Sequence, residues 1–264
     1  MSTNFIPFQA SYPEELVWKV LIDTSSDWLL IEKRNLQTTQ VSFDIFDLAT
    51  KKFLAENIKM WESWWVSAVW IHQKKIVLSL YQEETPIGKG VFVYDIRTKA
   101  ILWQNLDLNF FGADSQKSCI FLRKNLESSQ AEAYHLSTGL PTKQNLSQDE
   151  NLLGYRLAAL YPTESNFYQD LQNFLYQKTQ QKTNLPIHYA ETQGHICLGY
   201  GIEIEEKFAY FLLITDIAGN ILLREQLSSY EGTCFFVYQS YLVVLQVKEV
   251  RIYFLSHKTK PYEN

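Results

Sequence analysis

Four of the seven tryptophans in this 264-residue chain fall within one decapeptide, Trp61-Glu62-Ser63-Trp64-Trp65-Val66-Ser67-Ala68-Val69-Trp70. Large aromatic faces at this density do one of two things: they pack between sheets, or they offer a stacking platform to a flat or sugar-like ligand. Strand alternation places Trp64, Val66, Ala68 and Trp70 on one face and Trp65, Ser67 and Val69 on the other. A second chemistry lies in scattered carboxylates. Glu15, Glu62, Asp114, Glu191 and Glu231 each stand near the expected start of the innermost strand of a strand set. Acids gathered in that way could form a ring, and two of them across a glycosidic bond could serve hydrolysis. The residues singled out for ligand contact are therefore Glu62, Trp64, Trp65, Glu191 and Glu231. None is assigned a catalytic role.

Other chemistries find no support. The five histidines show no H-x-H or H-x-x-x-H pair, and Cys119, Cys197 and Cys234 lack the C-x-x-C spacing of a zinc site. No G-x-S-x-G, P-loop or G-x-G-x-x-G sequence is present. No cofactor and no metal are expected. With a formal net charge of −5 and no stripe of Lys and Arg, the chain is not expected to bind nucleic acid. It lacks the basic start of a signal peptide and any apolar run approaching a membrane span. The expectation is a cytoplasmic monomer without membrane contact, whose partner is a protein or a small molecule.

The elements that would position these residues follow a repeated grammar. Phe43 to Thr50, Val91 to Thr98, Ala133 to Gly139 and Leu213 to Gly219 each contain an apolar run that reaches Asp47, Asp95, His135 or Asp216 and then turns. An Asp at such a corner accepts backbone N–H groups two or three residues on, and Gly139 and Gly219 suit left-handed backbone. The corners recur at roughly 40 to 48 residues, then once at about twice that step. Four strands per step is the content of a propeller blade. The doubled step holds a helical pattern, with Phe167, Leu171, Phe174 and Leu175 on one face and a start at Pro162-Thr163, so the helix is expected over Thr163 to Tyr176. The fold expected is all-β, a single five-bladed β-propeller over residues 1–264 with a short helical insertion, about 155–186, between blades three and four. The fifth set holds only three strands, and Phe5 to Ser11 can supply the fourth. A pair of β-sandwiches is the alternative that regular turn spacing also permits.

The unit Val93-Tyr94-Asp95-Ile96-Arg97-Thr98-Lys99-Ala100-Ile101-Leu102-Trp103 resembles the blade signature of quinoprotein-type propellers. Only this copy keeps the Trp, and no quinone cofactor is carried over. Over nearly the whole chain, the paired tryptophans near residue 64, the Tyr-Asp-Ile-x-Thr corner, the helix after Tyr-Pro and Ile-Thr-Asp-Ile-Ala-Gly together resemble an uncharacterised Bacteroidota domain-of-unknown-function family (4905). That resemblance implies a small cytoplasmic protein and supplies no site residues. The function expected is a non-enzymatic interaction or ligand-binding propeller. The alternative is a carbohydrate-active, glycoside hydrolase-like enzyme using carboxylates at the channel mouth.

Overall fold

The computed structural model describes residues 7–61, 64–83, 88–124, 130–145, 153–192, 194–204, 207–227 and 233–255. The chain divides into two compact units, Glu14–Gly154 and Met1–Pro13 with Tyr155–Asn264. Both are built mostly of antiparallel strands, which make five sheets in all among the described residues. The first strand, β1 (Phe8–Ser11), belongs to the second unit.

The unit Glu14–Gly154 holds three four-stranded meanders. Sheet one is β2 (Leu16–Asp23), β3 (Trp28–Asn35), β4 (Gln40–Asp47) and β5 (Lys52–Lys59). Sheet two is β6 (Val66–His72), β7 (Lys75–Tyr81), β8 (Gly88–Asp95) and β9 (Ala100–Asn105). Sheet three is β10 (Asn109–Asp114), β11 (Cys119–Arg123), β12 (Glu132–His135) and β13 (Pro141–Thr142). The central strands of sheets one and two are near-continuously buried because both their faces are covered. Leu30, Phe43 and Ile45 of sheet one meet Ala68, Leu78 and Phe92 of sheet two in one core. Val77, Val91 and Val93 meet Ile120 and Leu122 of sheet three in the next.

The corners are formed as the repeat predicts. Asp47 Oδ1 accepts the N–H groups of Ala49 and Thr50 at 2.9 and 3.1 Å. Asp95 Oδ1 accepts those of Arg97 and Thr98 at 2.9 and 3.0 Å. His135 takes the same part through Nδ1, which accepts the Ser137 N–H at 3.3 Å. Gly139 and Gly219 have φ of 66° and 78°. The one repeat Trp also has a structural use. Trp103 Nε1–H donates to the Leu136 carbonyl at 2.8 Å, tying sheet two to sheet three, and its ring occupies the space a Cβ on Gly139 would need.

A second set of ties, not foreseen, joins the turns between first and second strands. Asp23 Oδ2 accepts the Lys74 N–H at 2.9 Å, Ser25 Oγ accepts the Gln73 N–H at 3.0 Å, and Gln73 Nε2 donates to Ser118 Oγ at 2.7 Å. Gln73 and Lys74 both have positive φ, as a two-residue hairpin of type I′ demands. The first strand of each sheet also carries a register shift, at Val17/Lys19, Ala68/Trp70 and Phe110/Gly112. The shift in β6 corrects the alternation expected for the tryptophan stretch. Val66 and Ala68 face sheet one, and the extra residue turns Trp70 into the core shared with sheet three.

The second unit continues with β14 (Arg156–Leu157), β15 (Ala159–Tyr161), α1 (Tyr168–Thr179), β16 (Ile187–Thr192), β17 (His195–Ile204), β18 (Lys207–Asp216), β19 (Ile221–Leu227), β20 (Cys234–Tyr238), β21 (Tyr241–Gln246) and β22 (Glu249–Phe254). Sheet four runs β15-β16-β17-β18-β19, and sheet five runs β1-β22-β21-β20-β14. The fourth long strand of the last set is β1, as expected, with Phe8 opposite Ile252 and Ser11 opposite Glu249.

The region about 155–186 is not wholly helical. Before the helix, β14 pairs with β20 and β15 with β16, and the Ala158 N–H between them donates to the Phe235 carbonyl at 2.9 Å. This short segment therefore bonds the edges of two sheets in turn, and the helix lies inside sheet four's own sequence. The helix also starts later than Thr163. Residues 162–167 make turns, Ser165 N–H to Pro162 O and Tyr168 N–H to Ser165 O, and Phe167 stays exposed. Tyr168 replaces it on the buried face with Leu171, Phe174 and Leu175, against Ile187, Leu198, Tyr200 and Leu213 of sheet four. The helix thus covers one face of that sheet.

Candidate functional site

Sheet one carries a strand segment, Glu32-Lys33-Arg34, in which three consecutive charged residues are all buried. Each is satisfied, as burial of charge requires. Lys33 Nζ lies 3.0 Å from both Glu15 and Asp44 and donates to Asn57 Oδ1 at 2.9 Å. On the opposite face, Glu32 Oε1 accepts Nη2 and Nε of Arg34 at 2.8 and 3.2 Å, while Oε2 accepts the Ser67 hydroxyl at 2.8 Å and the Ala68 N–H at 2.9 Å. Arg34 donates onward to the carbonyls of Trp64 and Val66 at 3.3 and 3.0 Å. Its guanidinium lies 4.7 Å from the Trp18 ring centre and 5.1 Å from that of Trp64. The group fastens the start of β6 to sheet one. Burial, then the Glu32 charge, pushes the neighbouring Tyr81 phenol up.

This accounts for one of the two tryptophans weighed for ligand contact. Trp64 is half-buried with its ring engaged by Arg34. Trp65 is half-buried, and its carbonyl accepts the Tyr81 N–H at 2.9 Å. Trp61 faces an opening and is 56% exposed. Its ring tilts over Phe92 at a centroid distance of 4.4 Å. Beside it an open cleft of about 440 Å³ is lined by Trp61, Leu80, Lys89, Ile101, Gln104 and Leu106. Sheet two positions these residues, with Leu80 on β7, Lys89 on β8, and Ile101 and Gln104 on β9. Gly90, at φ 150°, lets Leu106 close one side, since a Cβ there would lie 2.9 Å from the Leu106 Cα. Among the described residues, the Lys89 ammonium and the Gln104 amide make no ion pair or side-chain hydrogen bond.

Three of the five carboxylates, Glu15, Asp114 and Glu191, fall within the described residues. Glu15 immediately precedes β2, where it pairs with Lys33 and accepts from Ser42 at 2.9 Å. Asp114 ends β10 rather than starting it, and holds a turn by accepting the Lys117 N–H at 3.0 Å with the Lys117 ammonium at 2.9 Å. Glu191 is exposed near the end of β16. Glu62 and Glu231 lie outside the described residues. Burial pushes the Cys197 thiol up to about 12, away from nucleophilic use. No cluster of three or more His, Cys, Asp or Glu suited to a metal occurs among the described residues. Among those residues, no helix is long and apolar enough to cross a membrane.

The sequence had counted Trp61 without separating it from its neighbours. The available signal was its place ahead of the strand, between Met60 and Glu62, where no strand partner is required to bury it.

With the fold and cleft in view, residues 22–103 match a domain of unknown function (DUF4905). The match spans sheets one and two from the end of β2 into β9. It includes the Glu32–Arg34 pair, the Asp47 and Asp95 corners and Trp61. Over that segment the chain is similar to an uncharacterised domain family. No curated protein matches. Among solved structures, a member of the duf4221 family from Bacteroides vulgatus is 8% identical with a TM-score of 0.37, over 96% of this chain and 97% of that one. The Dos1 propeller is 13% identical with a TM-score of 0.29, over 90% and 55%. An endo-arabinase from Bacteroides thetaiotaomicron is 10% identical with a TM-score of 0.28, over 95% and 96%. At these scores the likenesses carry no inference about activity.

Proposed function

We propose that the five sheets are the blades of one five-bladed β-propeller, and that the protein is a binding module taking a small molecule or a partner side chain at the Trp61 cleft. The propeller reading is supported by four-stranded meanders recurring with the Asp corners and by β1 completing the last set. The binding reading rests on one observation. An exposed tryptophan borders a cleft whose two described polar groups, Lys89 and Gln104, have no side-chain partner among the described residues. Three free cysteines, two of them buried, support a reducing compartment such as the cytoplasm. The engaged states of Glu15 and Asp114 favour binding over the hydrolytic alternative.

The test is titration of intrinsic tryptophan fluorescence with a panel of metabolites, glycans and short peptides, in wild type and Trp61→Ala. A saturable change in wild type that Trp61→Ala abolishes is the expected result. No saturable change with any compound would overturn the proposal.

A further inference from the structure

We infer that the Trp61 cleft takes a small apolar carboxylate, an aryl or acyl body carrying one negative charge. This rests on the reading of the cleft as a binding site and adds the class of ligand.

Four of the six lining residues, Trp61, Leu80, Ile101 and Leu106, present apolar surface. Leu80 is buried and forms part of the floor, while Trp61, Ile101 and Leu106 remain substantially exposed and gain most from being covered. A sugar ring carries hydroxyls around its whole edge, and each would need a donor or acceptor. Beyond the indole N–H, the described lining offers one amide and one ammonium. That is too sparse for a polyol and well matched to a ligand with a single polar end.

The sign of that end follows from Lys89. It stands on β8 at the cleft without a described carboxylate partner, in a chain whose formal net charge is −5. A bound carboxylate would meet the ammonium directly, with the Gln104 amide able to donate to a second oxygen. Trp61 uses one side of its ring against Phe92, leaving the other for an aryl or acyl body. The volume of about 440 Å³ falls in the range of small-molecule sites, about 300–1,000 Å³.

The experiment uses full-length protein labelled with ¹⁵N and follows the Trp61 indole resonance, assigned by its loss in Trp61→Phe. The probes are 4-phenylbutyrate, 4-phenylbutan-1-ol, 4-phenylbutylammonium and methyl β-glucoside. The expected result is that phenylbutyrate moves the Trp61 resonance and binds more tightly than the other three. In Lys89→Glu its affinity should fall about tenfold, with the ammonium probe gaining, because an exposed attraction is replaced by a repulsion. Lys89 is exposed on its strand, so the variant leaves the core untouched. If Trp61 responds equally to alcohol or glucoside, or Lys89→Glu leaves the order unchanged, the ligand class is wrong and the cleft remains a binding site. If no probe moves Trp61, the class and the cleft fall together.

Discussion

Replacing Glu32 by Gln tests whether the buried charge group of sheet one holds its unit together. The Glu32 carboxylate is fully buried and accepts four hydrogen bonds, two from Arg34 and one each from Ser67 and Ala68. The amide keeps the shape and removes the charge. Its NH₂ must then face one of two sets of donors, either Arg34 or the Ser67–Ala68 pair, so at least one bond is lost and Arg34 is left without a counter-ion. Breaking a buried pair from one side costs about 3–5 kcal/mol. The lower end applies here, since the carbonyls of Trp64 and Val66 still solvate Arg34. A loss of about 3 kcal/mol, with a urea slope of about 1–3 kcal/mol/M, moves the midpoint down by about 1–3 M.

The assay is urea unfolding followed by tryptophan fluorescence. All seven tryptophans lie between Glu14 and Gly154, so the signal reports that unit alone. The double variant Glu32→Met/Arg34→Met should recover much of the loss, because neither charge then remains buried. A Glu32→Gln protein within about 1 kcal/mol of wild type, which is the scale of an ordinary hydrogen bond, would refute the reasoning. So would a double variant no more stable than the worse single.

Gly139→Ala should destabilise the same unit by about 2 kcal/mol or more, read from the same urea midpoint, because it combines positive φ with a Cβ 2.6 Å from the Trp103 ring. Lys51→Gly and Lys99→Gly should each stabilise by up to about 1 kcal/mol, since both lysines hold left-handed backbone at the corner position where sheet three uses Gly139. They sit in different sheets, so the double variant should add the two gains. Acid unfolding should show a share due to Asp95. Burial raises its pKa, but the N–H groups of Thr98 and Arg97 outweigh this and hold its carboxyl below the ordinary range. A depressed folded pKa gives stability that is full above the unfolded value, about 3.9, and lost as pH falls through the folded one. Asp95→Asn should flatten the stability–pH slope in that window.

The strands were legible where turn chemistry brackets them. β9 and β11 fall where their flanking polar turns place them, and β1 was anticipated because the last set was one strand short. β14 and β15 were not, because strands of two and three residues have no period to read. The helix start was misplaced because Phe167 fits the apolar face by spacing, yet a preceding turn carries it into solvent. The bulge in β6 defeated strict alternation across the tryptophan stretch. Glu32-Lys33-Arg34 matches no motif and was not singled out. Three charges in a row within a strand cannot all point away from the core, and that was the overlooked signal. The cleft was hidden for a different reason. It forms where Trp61, ahead of one strand, meets residues of three elements that only the folded sheet brings together.

The pairing of β1 with β22 sets a timetable for synthesis. At about 5–20 residues per second, the partner of Phe8, Ile252, is made roughly 12–50 s after it. Through that interval β1 is a strand without its sheet, and the β22 edge is open from its own synthesis until β1 arrives. Proline at positions 7 and 13 flanks the waiting strand with residues that cannot donate to a ladder, which blunts pairing with a neighbouring nascent chain. Closing a loop of this length is slow compared with forming a local hairpin. Sheet five is therefore the last of the five to acquire its full edge, and premature capture of β1 by another chain is the misfolding route this topology exposes.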